Sequence, residues 1–372
     1  MDGLIALGAG TVFGFALDKA HTNVPMVISQ QMEMRDFTMM RMFLTASSTS
    51  AAVVLALHAL GLKERKAERG TALGFNMLGG YGANLVGGFL LGAGMYLSGS
   101  CPGTVWAQIG AGMPFTMSIL AGGLLGAITF GYLERLGRKN PDFLKRNTPE
   151  ESDLIPSFLP YAIGSIAFVA MGAGVLAALD TTFPWQDSQA RILAAAPPFA
   201  NYEHGKLDAQ YWDPALAGLL LGLLQIPVQL SSGKALGQSS GWVLIASYIA
   251  GFFDRNLDKN APYLTAVREE RKPLFQVIVS TGIMAGAALS QYLSGYPMLA
   301  PTYANGAGSN LNAFLGGFLL LLGARLGGGC TSGHGLSGMA QLSIASLITV
   351  AGMFAGGMIF AAASGNFAEI KF

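Results

Sequence analysis

Two cysteines occur in the whole chain, Cys101 and Cys330, and both stand in unusual company for a very apolar protein. Residues 323 to 343 read GARLGGGCTSGHGLSGMAQLS, which places Arg325, Gly328, Gly329, Cys330, Thr331, Ser332 and His334 within ten positions. A thiol is a weak hydrogen-bond donor. Set beside small residues at the start of a short helix, where free backbone N–H groups and a positive dipole end gather, it suits loose contact with an anion. A thiolate would repel the same anion, so the neutral form fits this chemistry. Arg325 inside an apolar segment costs about 2.5–3.5 kcal/mol on the insertion scale; attracting an anion and pairing two helices both account for it. Cys330 and His334 are spaced as a pair of metal ligands, but a metal site needs three or four. No others cluster here in the sequence, and no metal or cofactor is expected.

The surroundings of Cys101 repeat those of Cys330. GGFLLGAGMYLSGSC, residues 87–101, and GGFLLLLGARLGGGC, residues 316–330, agree at 9 of 15 positions at a fixed offset of 229, and both close on cysteine. Ser98, Gly99 and Ser100 precede the first thiol as three glycines precede the second. Small residues let the chain turn sharply and let a solute approach the backbone. Irregular backbone at membrane depth must be buried in protein or line a cavity.

The elements that must position these residues are membrane helices. The chain has 372 residues, 52% of them hydrophobic and 12% charged, against about a quarter charged in soluble domains. Apolar runs place nine spans near residues 3–17, 38–61, 72–98, 115–133, 157–179, 212–230, 273–294, 311–327 and 343–364. A bilayer core needs about 20 helical residues, so the apolar segments 19–33, 102–113, 235–252 and 331–341 read as re-entrant half-helices. The expected fold is therefore an all-α, polytopic, hourglass-like membrane domain covering residues 1–372. Fourteen of the 22 Lys and Arg residues lie in 62–71, 134–150 and 254–272, whereas 180–211 holds two and 295–310 none. By the positive-inside rule the first three segments are cytoplasmic, with the N-terminus inside and the C-terminus outside. The two cysteine segments then run in opposite directions, giving a first inverted half (1–179), an external connector (180–211) and a second inverted half (212–372). Inverted repeats with broken helices meeting near the midplane are a recurrent transporter architecture. On this topology the thiols stand at opposite entrances. No secretory signal peptide is evident, and the plasma or inner membrane is the expected location.

The segment around Cys330 resembles the signature of the YeeE/YedE sulfur-transport family. GLLLGLLQIPVQLSSGKALGQSSGWV (218–243), GFLLGAGMYLSGSCPGTVWAQIGAG (88–112) and FGFALDKAHTNVP with the following RDFTMMR resemble its other segments. The resemblance implies uptake of inorganic sulfur compounds, thiosulfate foremost, by a relay of transient hydrogen bonds between thiols without large domain motion. Cys330 and Cys101 would be the relay thiols of the two halves, and Ser239 and Ser240 belong to a further motif turn. The resemblance also implies a third cysteine in the opening segment, where this chain has KAHTNVP with Asn23 at or beside that position. His21, Thr22 and Asn23 offer conventional hydrogen-bonding groups instead, for thiosulfate or for sulfite, sulfate or a selenium species. A small soluble sulfur-carrier protein on the cytoplasmic side is a partner of some family members.

Two functional classes follow. In the first, a transporter rather than an enzyme passes a small sulfur anion across the lipid bilayer, with Cys101, Cys330, Asn23, Gly99, Gly328, Gly329, Thr331, Ser332, His334, Arg325, Ser239 and Ser240 lining its path. In the second, a membrane sulfurtransferase forms a persulfide on Cys330. A neutral-solute channel ranks last, because paired Asn-Pro-Ala motifs are absent from the sequence. Nothing in the composition points to nucleic acid.

Overall fold

The computed structural model describes residues 2–62, 78–138, 158–195, 211–232, 237–294 and 308–367. All elements in them are helical. The first stretch holds α1 (Asp2–Lys19), α2 (Pro25–Met32) and α3 (Thr38–Ala59). A 3₁₀ turn then leads into α4 (Gly82–Ser98), α5 (Thr104–Gly110) and α6 (Thr116–Arg138), followed by α7 (Phe158–Thr182) and α8 (Trp185–Ala195). Next come α9 (Pro214–Leu223), α10 (Gln225–Ser232), α11 (Ser239–Phe253), α12 (Leu257–Asn260), α13 (Pro262–Glu269) and α14 (Arg271–Ser294). The last stretch comprises α15 (Asn310–Leu326), a π-helical turn over Ser332–Gly338, a 3₁₀ turn over Met339–Gln341 and α16 (Ile344–Ala363).

Local chemistry sets these boundaries. Asp213 caps α9 by accepting from the Ala215 N–H, with Pro214 at the first helical position. Ser309 and Ser343 cap α15 and α16 in the same way. Helix α4 ends on Gly99, whose φ of 59° and ψ of 33° are the left-handed cap that glycine adopts without a Cβ penalty.

Among the described residues, six helices are long and apolar enough to cross a membrane: Thr38–Ala59, Thr116–Leu136, Leu159–Thr182, Pro214–Ser231, Pro273–Ser294 and Ile344–Ala363. The chain is an all-α polytopic membrane protein. The sequence suggested nine spans; the other three, α1, α4 and α15, are 18, 17 and 17 residues long. At 1.5 Å per residue a 17-residue helix reaches about 25 Å, short of a hydrocarbon core of about 30 Å. They are short for local reasons. Asp18 and Lys19 close α1, while α4 and α15 stop before the two cysteine loops. All four expected half-helices are present as short elements: α2, α5, α11 and the π turn.

Long helices pair with each other through glycine. The principal pairs are α1 with α14, α3 with α9, α4 with α16 and α6 with α15, and α4 also packs on α15 at the centre. A Cβ added at Gly92 would lie 1.8 Å from the Met353 carbonyl oxygen, and one at Gly356 2.0 Å from that of Phe89. Helices α4 and α16 therefore touch backbone to backbone. Gly10 and Gly14 of α1 meet Gly282 and Gly286 of α14 in the same manner, the small-residue packing by which membrane helices approach closely. Around this core, Leu159, Ile163, Ile166 and Met171 on α7 and Phe252, Phe253 and Tyr292 elsewhere are exposed. These large exposed apolar side chains suit lipid tails.

The expected connector 180–211 is partly helical. Helix α7 continues to Thr182, and α8 turns back so that Ser188 donates to the Asp36 carboxylate. A cleft of about 330 Å³ opens between Arg35–Thr38 and Thr182–Ser188. The connector's residues 196–210, most of the basic segments 62–71 and 134–150, and most of 295–310 lie outside the described residues.

Candidate functional site

Cys101 lies between the end of α4 and the start of α5, in a local network of hydrogen bonds. The Thr104 N–H donates to Cys101 Sγ at 3.3 Å, and the Cys101 N–H donates back to Thr104 Oγ1 at 2.5 Å. Gln108, one turn further on, binds three segments at once. Its Nε2 donates to the carbonyls of Asn23 (2.8 Å) and Gly99 (2.9 Å), and its Oε1 accepts from Ser100. The opening short segment is thus held against the first cysteine loop. Asn23 is buried and its Nδ2 donates to Asp18 at 2.9 Å. Its Oδ1 is a buried acceptor with no hydrogen-bond partner.

Cys330 lies between the end of α15 and the π turn. The Gln238 N–H donates to Cys330 Sγ at 3.3 Å, and Ser332 Oγ lies 3.2 Å from the same sulfur. The His334 N–H donates to the Cys330 carbonyl at 2.8 Å, while its Nδ1 faces Ser346 Oγ at 2.9 Å. Gly328 turns the chain with a φ of 87°. Gly329 passes so near the imidazole that an added Cβ would stand 2.9 Å from His334 Nε2. Thr331 reaches back to the Met95 sulfur at 3.6 Å. Among the described residues no three His, Cys, Asp or Glu side chains gather as a metal site.

The two cysteine loops meet at one residue, Gln238. Its backbone N–H serves Cys330, and a Cβ added at Gly103 would lie 3.7 Å from Gln238 Cγ and 3.9 Å from Cys101 Sγ. Both thiols are free. Gln238 borders both cysteine loops, through its backbone at Cys330 and its side chain beside the Cys101 loop. Each sulfur accepts a backbone N–H, from Thr104 at Cys101 and from Gln238 at Cys330.

The remaining expected residues fall around this centre. Arg325 is half-buried, donates from Nη1 to Ser239 Oγ at 2.9 Å and lies over the Tyr263 ring at 5.7 Å. It thereby anchors the start of α11, directly after Gln238. Ser239 is buried and Ser240 half-buried on that first turn. Gln238, Gln108 and Ser280, which donates to Gln238 Oε1 at 3.0 Å, were missed as site residues. The signal available for Gln238 was its place in the GQSSG turn beside Ser239 and Ser240.

Comparison with known proteins matches the sequence to a family model. The family described as "Sulphur transport" covers residues 19–359. A protein named "Thiosulfate transporter TsuA" from Spirochaeta thermophila is 27% identical over 271 residues, 71% of this chain and 72% of its own length. A "Probable transporter" from Xylella fastidiosa (strain Temecula1) is 28% identical over 151 residues, which is 40% of this chain but 92% of its own.

Proposed function

The chain belongs to the sulphur transport family, and from that premise we propose that it imports a small sulfur-containing anion, thiosulfate foremost, by handing it between Cys101 and Cys330. The observation that carries the reading is the meeting of both cysteine loops at Gln238. An anion held by one S–H has the second within reach, and weak successive contacts favour conduction over trapping. Asn23, held beside the Cys101 loop by Gln108, is the remaining polar station, with Ser332 and His334 beside Cys330.

The two halves, 1–179 and 212–372, are inverted copies in this reading. The helix pairs support it: at the offset of 229, α4, α5 and α6 correspond to α15, the π turn and α16. The contact of α4 with α16 is then matched by that of α15 with α6. A relative matching two fifths of this chain over nearly its whole length is also what a half-sized unit would give. The N-terminus faces the cytoplasm on the basic-residue count, and a soluble sulfur-carrier protein would receive the cargo there.

Cys101 and Cys330 are 7% and 1% exposed. Such burial leaves no surface on which a protein acceptor could meet a Cys330 persulfide, so transport is favoured over sulfurtransferase chemistry. The test is uptake of labelled thiosulfate into proteoliposomes by the wild type, Cys101→Ala and Cys330→Ala. We expect each variant, folded, to lose about tenfold or more, equivalent to about 1.4 kcal/mol at the limiting contact. Full uptake by both variants would sink the relay.

A further inference from the structure

We propose that Asp18 is a proton site linked to the anion path through Asn23, so that a proton travels with each sulfur anion; the inference rests on the transport reading above. Asp18 is 3% and Asn23 1% exposed. Asp18 Oδ1 accepts from Asn23 Nδ2 at 2.9 Å and from Gln291 Nε2 of α14 at 2.8 Å. A buried ionisable group in a membrane helix is expensive and calls for a function. The adjacent Lys19 does not neutralise it by contact: neighbouring positions on a helix do not face each other, and Lys19 Nζ donates to Ser294 Oγ at 2.6 Å.

The amide of Asn23 supplies the link. While Asp18 is a carboxylate, it holds the N–H₂ end of Asn23, and Oδ1 points into the interior unpartnered. An acceptor turned that way repels an anion. When Asp18 Oδ1 takes a proton, an O–H bond forms there and that O–H can donate. Rotating the Asn23 amide by half a turn then sets its Oδ1 to accept from Asp18, and its N–H₂ replaces the orphan acceptor. Gln291 can keep donating to the same Asp18 oxygen throughout. The anion thus meets a donor only when Asp18 is protonated, and by linkage anion binding draws in a proton. Loss of that proton to the opposite side reverses the amide and releases the anion.

The ionisable groups around Asp18 are few. Lys19 acts on it electrostatically. His21 follows α1 and stacks on Tyr211, their ring centroids 4.1 Å apart, and Asp213 caps α9. Helices α5, α9 and α10 contribute no ionisable side chain, and α14 carries Arg271 and Lys272 in its first turn and the exposed Tyr292 in its last. The switch therefore has one carboxylate and one amide at its centre.

The experiment is labelled thiosulfate uptake into proteoliposomes containing a trapped pH dye, with wild type, Asp18→Asn and Asn23→Ala. Wild-type uptake should rise as external pH falls, up to about tenfold per unit while one proton is limiting, and should acidify the lumen. Both variants should show uptake that no longer follows pH and carries no proton signal. Thiosulfate uptake without lumen acidification, or Asp18→Asn with its pH dependence intact, overturns the proposal. A wild type that moves no thiosulfate counts against the transport reading instead. Infrared titration of the full-length protein then decides the proton site. Subtracting the Asp18→Asn spectrum should leave a protonated-carboxyl band that grows at low pH in wild type and in Asn23→Ala; no such difference band overturns the proposal.

Discussion

The indole Nε1 of Trp242 donates to the carbonyl oxygen of Pro102 at 3.0 Å. That single bond ties the loop of Cys101 to helix α11, four residues after Gln238, whose N–H serves Cys330. Trp242 is fully buried and packs on Trp106 with ring centroids 4.9 Å apart. The spacing of the two thiols therefore depends on one indole. Trp242→Phe keeps an aromatic ring there but leaves the Pro102 carbonyl without its donor, at a cost of about 1–3 kcal/mol. Purified variant protein should melt lower than wild type, and its uptake should fall through a raised KM as the thiols lose register. Unchanged stability and KM would show that the bond does not set the spacing.

Gln238 offers a charge test. Gln238→Glu is nearly isosteric but places a carboxylate, 1% exposed as glutamine, between the thiols. Repulsion of a divalent anion in that interior should abolish uptake, whereas Gln238→Ala keeps the backbone N–H to Cys330 and should lose much less. Direct thiosulfate binding, measured by calorimetry on both variants, checks the order. Stronger binding by the glutamate variant would mean that the anion does not pass this residue.

Glycine substitutions should divide sharply by position. Gly92→Ala drives a Cβ to 1.8 Å from the Met353 carbonyl, while nothing lies within 4 Å of a Cβ at Gly8. The first should destabilise by about 1–3 kcal/mol or more, as overpacking does. Gly8→Ala, inside α1, should be neutral or gain about 0.5–1 kcal/mol of helix propensity. Melting temperatures in detergent compare the two directly.

Arg41 and Asp180 form an unequal pair. Arg41 is buried and donates from Nη2 to the Leu179 and Phe183 carbonyls, both at 2.6 Å, closing the last turn of α7. The Asp180 side chain, which also accepts from Arg41, is 64% exposed. Arg41→Ala should therefore cost about 1–3 kcal/mol through two carbonyls left without a donor. Asp180→Asn should cost under about 1 kcal/mol, as exposed ion pairs do. Equal effects in thermal unfolding would show that the carboxylate rather than the carbonyls matters.

These residues differ in how far the sequence announces them. The short elements were legible because their apolar runs are too brief to cross a bilayer and are flanked by Gly, Pro or Ser, as at Gly99 and Pro102. The matched cysteines were legible from a fixed offset between two similar strings. Gln238 and Gln108 were not, because a glutamine in an apolar run looks alike whether it binds a neighbour or a segment 92 or 85 residues away. The meeting of both cysteine loops at Gln238 was hidden for the same reason: packing between segments far apart in the sequence decides it. Asp18 and Lys19 looked like an ordinary helix end until α14 closed over them.

Gears whose teeth are fully meshed cannot slip. The backbone contact of Gly92 and Gly356 with the facing carbonyls of α16 and α4 has that property, since at these two positions backbone meets backbone with no side chain between to yield. On the transport proposed above, the movement left for a passing ion is that of small groups: two thiols, a hydroxyl, an amide turning on its bond. The scaffold is the still part of such a machine.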